Sequence, residues 1–423
     1  MVYRLLPFLA LAFLAVRPCL AEDEVNYDEA KVPTFTLPDP LRFEDGAPVT
    51  NAGDWKKRRK ELLGLFASEV YGKTPVGRPE AMRFVPVKRV EGFLGGKAVL
   101  EEVRILFSGK EDGPFLDLLV IKPAKAGPEG VPAFLALNFA GNHSIHPSAE
   151  ITLSTSWMRP NREDEKAGLL KDNRATELAR GARAARWPVE KIIDSGVALA
   201  TFYYGDVDPD FDDGFENGIH ALFGKPGPDE WGSIGSWAWG ASRALDYLET
   251  DPAIDGKRVA VFGHSRLGKT ALWAGARDER FAMVISNDSG CGGAALSRRR
   301  FGEKVARINT SFPHWFADTF LKYNDNENAL PVDQHELIAL IAPRLVYVAS
   351  AVEDEWADPR GEFLSAKLAG PVYELLGKKG VGVEEMPGLN ESVGADIRYH
   401  IRTGKHDVTD YDWEQYLKAI HSL

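Results

Sequence analysis

RVAVFGHSRLGKTALWAGA, residues 258–276, decides the fold of this chain. Its apolar opening, Arg258–Phe262, predicts a strand, and Arg266–Ala276 predicts a helix, so GHS between them must be a sharp turn. Two chemistries fit that turn. Gly263, Gly268, Lys269 and Thr270 satisfy G-x-x-x-x-G-K-[ST], a loop that cradles phosphates. The same letters place Ser265 at the strand-to-helix bend, where a serine nucleophile stands exposed.

The flanking chain repeats the pattern. Strands are predicted at Phe115–Lys122, Ala133–Asn138, Val197–Tyr204, Ala282–Ser286, Leu345–Ser350 and Ile397–Arg402, and helices at Trp237–Glu249, Glu362–Leu376 and Asp412–His421. Strands apolar on both faces and alternating with helices imply a mostly parallel sheet covered on both sides, an α/β fold. Ligands in such sheets sit at the carboxyl ends of the strands. Upstream, DWKKRRKELLGLFASEVY (54–71) spaces Leu62, Leu63, Phe66 and Val70 as one helix face, and 82–103 favours short antiparallel edge strands. The expected partition is a leader at 1–21, an arm, helix and edge strands at 22–104 packed on the core, and a catalytic domain at 105–423.

The leader reading rests on Arg4, the apolar run Leu5–Val16 and the small Ala21 at the expected cut. That run falls short of the roughly 20 residues a membrane span needs. Export follows, to a bacterial periplasm or exterior. Only Cys291 remains beyond the leader, which excludes an internal disulfide. A formal net charge of −11 argues against nucleic acid and anionic membranes as partners. With 44% hydrophobic residues and ten Trp, the chain carries ample material for a large core.

The nucleophile reading of the turn uses more of the sequence than the phosphate reading. A nucleotide hydrolase needs a second acid for Mg²⁺, for which FAMVISND offers Asp288, but an exported protein meets essentially no nucleoside triphosphate. A serine hydroxyl instead needs a histidine to take its proton and an acid to orient that histidine. α/β-Hydrolases order these as serine, acid, histidine along the chain. His406, in RTGKHDVTDYDW, stands between the last strand and the last helix, where the fold returns a base to Ser265. Two acids qualify: Asp354, after Leu345–Ser350, and Asp288, one strand earlier. Arg266 follows the serine directly, where a guanidinium can join the backbone N–H groups facing an oxyanion.

These residues resemble the glucuronoyl esterases, carbohydrate esterase family 15, of the bacterial type. The likeness runs from RRKELLGLFASEVYGKTP (58–75) to GKHD (404–407), through GHSRLGK, SNDSGCGGAALSRRRFGE, FPHWF, LPVDQHELIALIAPR and EDEWADPRGEF. The resemblance implies an α/β-hydrolase fold and a serine esterase that cuts the ester between (4-O-methyl-)glucuronoyl side chains of glucuronoxylan and lignin alcohols. It implies Ser265 as nucleophile, His406 as base and Arg266 as oxyanion partner. Many members carry the triad acid as a glutamate at the position of Asp288, one methylene longer, and some bacterial members carry an acid at Asp354; shared work is the expectation. Lys269 and Glu303 resemble the pair that holds the uronate hydroxyls, and Trp356 the residue that closes over the sugar. Asp333, His335 and the run Arg298–Arg300 read as structural.

The expected mechanism is two-step acyl transfer with no metal and no organic cofactor, in a monomer facing a polymer. Two alternatives stand beside it: another carbohydrate esterase, such as an acetyl xylan esterase, and a non-catalytic xylan-binding protein.

Overall fold

The computed structural model describes residues 25–423, so the expected leader lies outside the described residues. Helix α1, Ala52–Phe66, starts where the Asn51 side chain accepts the Asp54 N–H at 3.0 Å. It buries Trp55, Leu62 and Phe66, then tightens into a single π turn at Ala67–Tyr71 that Gly72 stops at φ 86°. A Cβ on Gly72 would stand 2.2 Å from the Glu230 carbonyl oxygen, so only glycine fits. The expected helix 54–71 is therefore shorter in its regular part, and the turn delivers Tyr71 to stack on Trp273 at 4.6 Å.

Ten strands form the main sheet: β1 Arg83–Gly92, β2 Ala98–Leu106, β3 Phe115–Pro123, β4 Val131–Asn138, β5 Ala198–Tyr203, β6 Ile254–His264, β7 Met283–Asn287, β8 Leu345–Ala351, β9 Glu391–Gly394 and β10 Ile397–Arg402. Their spatial order is β1-β2-β3-β5-β4-β6-β7-β8-β10-β9. The six from β5 to β10 are parallel, with antiparallel strands at both edges. The crossover that sets β5 outside β4 and the long parallel block are the α/β-hydrolase arrangement.

Alternate residues of the central strands feed two cores. Val259, Val261, Val284, Val346 and Val348 face one layer, while Ala260, Phe262, Met283, Ile285, Tyr347 and Ala349 face the other. The first layer holds α1 together with α2 Ser233–Leu248, α3 Arg266–Arg277 and α4 Pro359–Leu368; the second holds α5 Asp410–Ile420. Strands buried on both faces explain the unbroken apolar runs of the sequence.

Two expectations change. The helix expected over 362–376 begins at Pro359 and breaks at Leu368, because Pro371 lacks an N–H and starts a separate short helix at Gly370–Leu375. The division at 104/105 cuts through β2, whose hydrogen-bonded ladder and buried side chains run across it; sheet and core are continuous there. The active-site candidates all lie at one edge. Ser265, Asp288, Asp354 and His406 follow β6, β7, β8 and β10 at the carboxyl ends of parallel strands. Among the described residues no helix is long and apolar enough to cross a membrane.

Candidate active site

Ser265 sits between β6 and α3 at φ 59°, ψ −130°, a strained conformation for a non-glycine residue. Its N–H donates inward to the Asn287 carbonyl at 2.9 Å, and its own carbonyl accepts the Gly268 N–H at 2.8 Å. The two flanking glycines have steric reasons. A Cβ at Gly263 would lie 1.8 Å from the Leu267 carbonyl oxygen, and one at Gly268 would lie 2.9 Å from Ser289 Cβ. The second glycine thus stands three residues after the serine because that is where α3 passes the loop after β7. With the Ser265 N–H turned inward, the bend presents a hydroxyl rather than a cradle of amides. The N–H of Arg266, at the first position of α3, has no helical carbonyl to meet.

His406 lies on the loop after β10, and its Nδ1 is 2.6 Å from Asp354 Oδ2. Asp354 is buried, while the His406 ring is partly exposed. A carboxylate at Nδ1 fixes the proton there and leaves Nε2 with its lone pair. Among the described residues no hydrogen bond joins His406 to the Ser265 hydroxyl. The His406 ring instead lies against His264, the residue before the serine, with ring centroids 4.4 Å apart. His264 Nδ1 meets Asn287 Oδ1 at 2.6 Å, and burial followed by the His406 charge holds this imidazole well below its ordinary pKa. It is a neutral wall beside His406.

Asp288 occupies a different place from Asp354. Its Oδ2 accepts from Arg402 Nη2 at 3.2 Å and from the Asp407 N–H at 3.3 Å, and its buried Oδ1 has no partner. Burial, then repulsion from Glu362, pushes its carboxyl well above the usual range against the pull of Arg402. Ligand-type atoms of Asp288, Asp354 and His406 all lie within 4.8 Å of one another. The imidazole is hydrogen-bonded to Asp354, while Asp288 is bonded to Arg402.

Arg266 is fixed by a residue that the sequence did not single out. Its Nη1 lies 2.9 Å from Asp210 Oδ2, and its guanidinium stands 4.9 Å from the Trp315 ring centre and 5.4 Å from that of Phe139. Asp210 also accepts from Arg159 Nη1, Tyr204 Oη, His314 Nε2 and Trp315 Nε1 at 2.8–3.1 Å. Burial alone would raise this carboxyl, but His314, Arg266 and Arg159 hold it far below the usual range. A carboxylate with five donors is a rigid post for the guanidinium. FPHWF, noticed as a motif, supplies His314 and Trp315; their acid lies 104 residues earlier, which no local pattern signals.

Lys269, Glu303 and Trp356 gather beside the bend. Lys269 is buried and donates to the Ser289 carbonyl at 2.5 Å. Burial lowers its pKa while the Glu303 charge opposes that, and burial raises Glu303 against Lys269, Arg266 and a hydrogen bond from Trp356. Trp356 stays 36% exposed, free to meet a ligand face. The residues read as structural are so placed. Asp333 caps the helix Gln334–Ala339 and binds Arg298, Arg299 pairs with Asp358, Arg300 pairs with Glu327, and His335 meets the Pro38 carbonyl.

Comparison with known proteins adds the family. A carbohydrate esterase of an unknown prokaryotic organism is 55% identical over 94% of this chain and 92% of its own. A promiscuous esterase of family 15 from a marine bacterial metagenome, 54% identical, superposes with a TM-score of 0.88 over 94% of this chain and 99% of that one. This chain belongs to carbohydrate esterase family 15. A glucuronoyl esterase from Solibacter usitatus is 50% identical, with a TM-score of 0.87 over 93% of this chain and 99% of its own. The family model described as glucuronyl esterase, fungi, matches residues 182–377. For a family 15 chain, that matched span is informative: it holds Ser265, Asp288, Glu303 and Trp356, and it stops before His406.

Proposed function

We propose that this family 15 chain is a serine glucuronoyl esterase acting on the ester between a (4-O-methyl-)glucuronoyl group of xylan and a lignin alcohol. The observation that carries the reading is the 2.6 Å His406–Asp354 hydrogen bond at the same sheet edge as the strained Ser265 bend. Ser265 attacks the ester carbonyl once its hydroxyl turns toward His406 Nε2, which takes the proton. Asp354 stabilises the imidazolium that forms. The Arg266 guanidinium and first-turn N–H meet the tetrahedral oxyanion, with Asp210 holding that guanidinium still. His406 then protonates the departing alcohol, and water hydrolyses the glucuronoyl-enzyme with the same groups in reversed roles. Lys269 and Glu303 hold the ring hydroxyls and Trp356 covers the sugar face. Neither step calls on a metal or an organic cofactor.

The chain acts as a monomer after removal of residues 1–21, outside the cytoplasm in the periplasm or beyond. The apolar run Leu5–Val16 with Arg4 ahead of it supports that placement.

The test is hydrolysis of benzyl glucuronate by the wild type and by Ser265→Ala in parallel. Ester cleavage in the first and its abolition in a folded second are expected; full activity in Ser265→Ala refutes the nucleophile. The promiscuous marine relative favours one second reading, a wider acyl range that includes acetyl xylan. Rates on methyl glucuronate against acetylated xylose separate the two.

A further inference from the structure

The geometry points to Glu362 as a positioning residue for Lys269, acting through the single peptide group between Ser289 and Gly290. This inference rests on the reading of Lys269 as a sugar contact. Glu362 lies in the first turn of α4, fully buried. Its Oε1 accepts the N–H of Ser289 at 2.8 Å and that of Gly290 at 3.0 Å, and its Oε2 accepts the Ser350 hydroxyl at 2.6 Å. The carbonyl of the same Ser289–Gly290 peptide accepts Lys269 Nζ.

One peptide group therefore stands between the Glu362 carboxyl oxygen on its N–H side and Lys269 Nζ on its C=O side. Each of these hydrogen bonds polarises the group for the other. Neither Glu362 nor Lys269 has a direct salt-bridge partner among the described residues, so this peptide is what links the two side chains. The loop needs such an anchor. Asp288 and Gly290 both adopt positive φ, 45° and 59°, and a Cβ at Gly290 would stand 3.1 Å from Ala357 Cα. A segment with left-handed residues on both sides of Ser289 takes its peptide orientation from outside bonds, not from local preference. Glu362 supplies those bonds, Ser350 orients Glu362, and Lys269 inherits the position of its carbonyl.

Michaelis parameters on benzyl glucuronate test this in the full chain, with melting temperature as the check on folding. Glu362→Asp keeps the carboxyl group but withdraws it by one methylene; it is expected to raise KM about tenfold with kcat within about threefold. Glu362→Gln, whose amide oxygen still accepts both N–H groups, is expected to stay within about threefold of wild type in both parameters. Ser350→Ala, which frees Glu362 without altering its carboxyl or Lys269, gives the same KM-selective loss at about threefold. Glu362→Asp added to Lys269→Met changes nothing further, because both act on one contact. Unchanged KM in folded Glu362→Asp and Ser350→Ala, or full additivity in the double variant, overturns the inference. An unchanged KM in Lys269→Met alone overturns the sugar-contact reading itself, and the inference with it.

Discussion

His406 Nδ1 is hydrogen-bonded to Asp354 across 52 residues, while Asp288 Oδ2 accepts from Arg402 and from the Asp407 N–H. Both acids stand within reach of one imidazole, yet only Asp354 is directly bonded to it. Their contributions are therefore unequal. Asp354→Asn is expected to lower kcat on benzyl glucuronate about 10²–10⁴-fold, the scale on which a triad acid fixes tautomer and charge. Asp288→Asn is expected to lower it about tenfold, and the double variant to be close to inactive. A larger loss in Asp288→Asn than in Asp354→Asn would reverse the assignment.

Arg266 and Asp210 make a second testable pair. Arg266→Met removes the guanidinium proposed to meet the oxyanion and is expected to reduce kcat about 10²–10³-fold with little change in KM. Asp210→Asn leaves the guanidinium in place but loosens its post, and is expected to cost about tenfold in kcat. A loss confined to KM in either variant contradicts an oxyanion role.

The bend itself has no room for a methyl group. Gly263→Ala would set a Cβ 1.8 Å from the Leu267 carbonyl oxygen, a contact that the backbone of α3 must move to relieve. A destabilisation of about 4 kcal/mol or more is expected, at the extreme of single substitutions, with loss of soluble, active protein. Denaturant unfolding of this variant within 1 kcal/mol, about one-fifth of a typical domain's stability, would contradict the packing described.

Asp206 and Glu362 each withdraw stability as pH rises toward neutrality. Burial, with repulsion from Asp117 next, raises Asp206 from 3.8 to about 7, and burial raises Glu362 from 4.5 to about 7. Both groups keep a proton in the folded state at pH values where the unfolded chain has lost it. Their contribution to stability is largest near or below their ordinary values and declines until about pH 7. Asp210 has the opposite sign, lost only below its ordinary 3.8, and burial lowers His143 and His220 from 6.5 to about 4, so these two oppose the carboxyls between about pH 4 and 6.5. The melting-temperature difference between wild type and Asp206→Asn isolates one carboxyl, and it is expected to favour the wild type more at about pH 5 than at about pH 8. A difference that stays constant through this range would refute the direction.

Much of this architecture was legible in the chain. Phe115–Lys122, Leu345–Ser350 and Ile397–Arg402 are strands nearly to the residue; in Leu345–Ser350, burial on both faces writes itself as an almost wholly apolar run. Pro371 breaks the helix that apolar spacing extended through 376, a case where one missing N–H outweighs periodicity. The 104/105 division falls inside β2, where the sheet edge and its centre share one core, and composition does not mark such a line.

The sequence by itself determined the layered α/β fold, a serine at a bend that only glycine neighbours permit, and a histidine at the end of the last parallel strand. Those features depend on local spacing, which a linear chain records. Only the tertiary structure decided which aspartate bonds the histidine, that Asp210 carries Arg266, and that one peptide separates Glu362 from Lys269. Such choices turn on ångström differences between residues tens to more than a hundred positions apart. Hydrogen bonds and charges in a buried, low-dielectric site are sensitive to those distances, and nothing in the order of the letters encodes them.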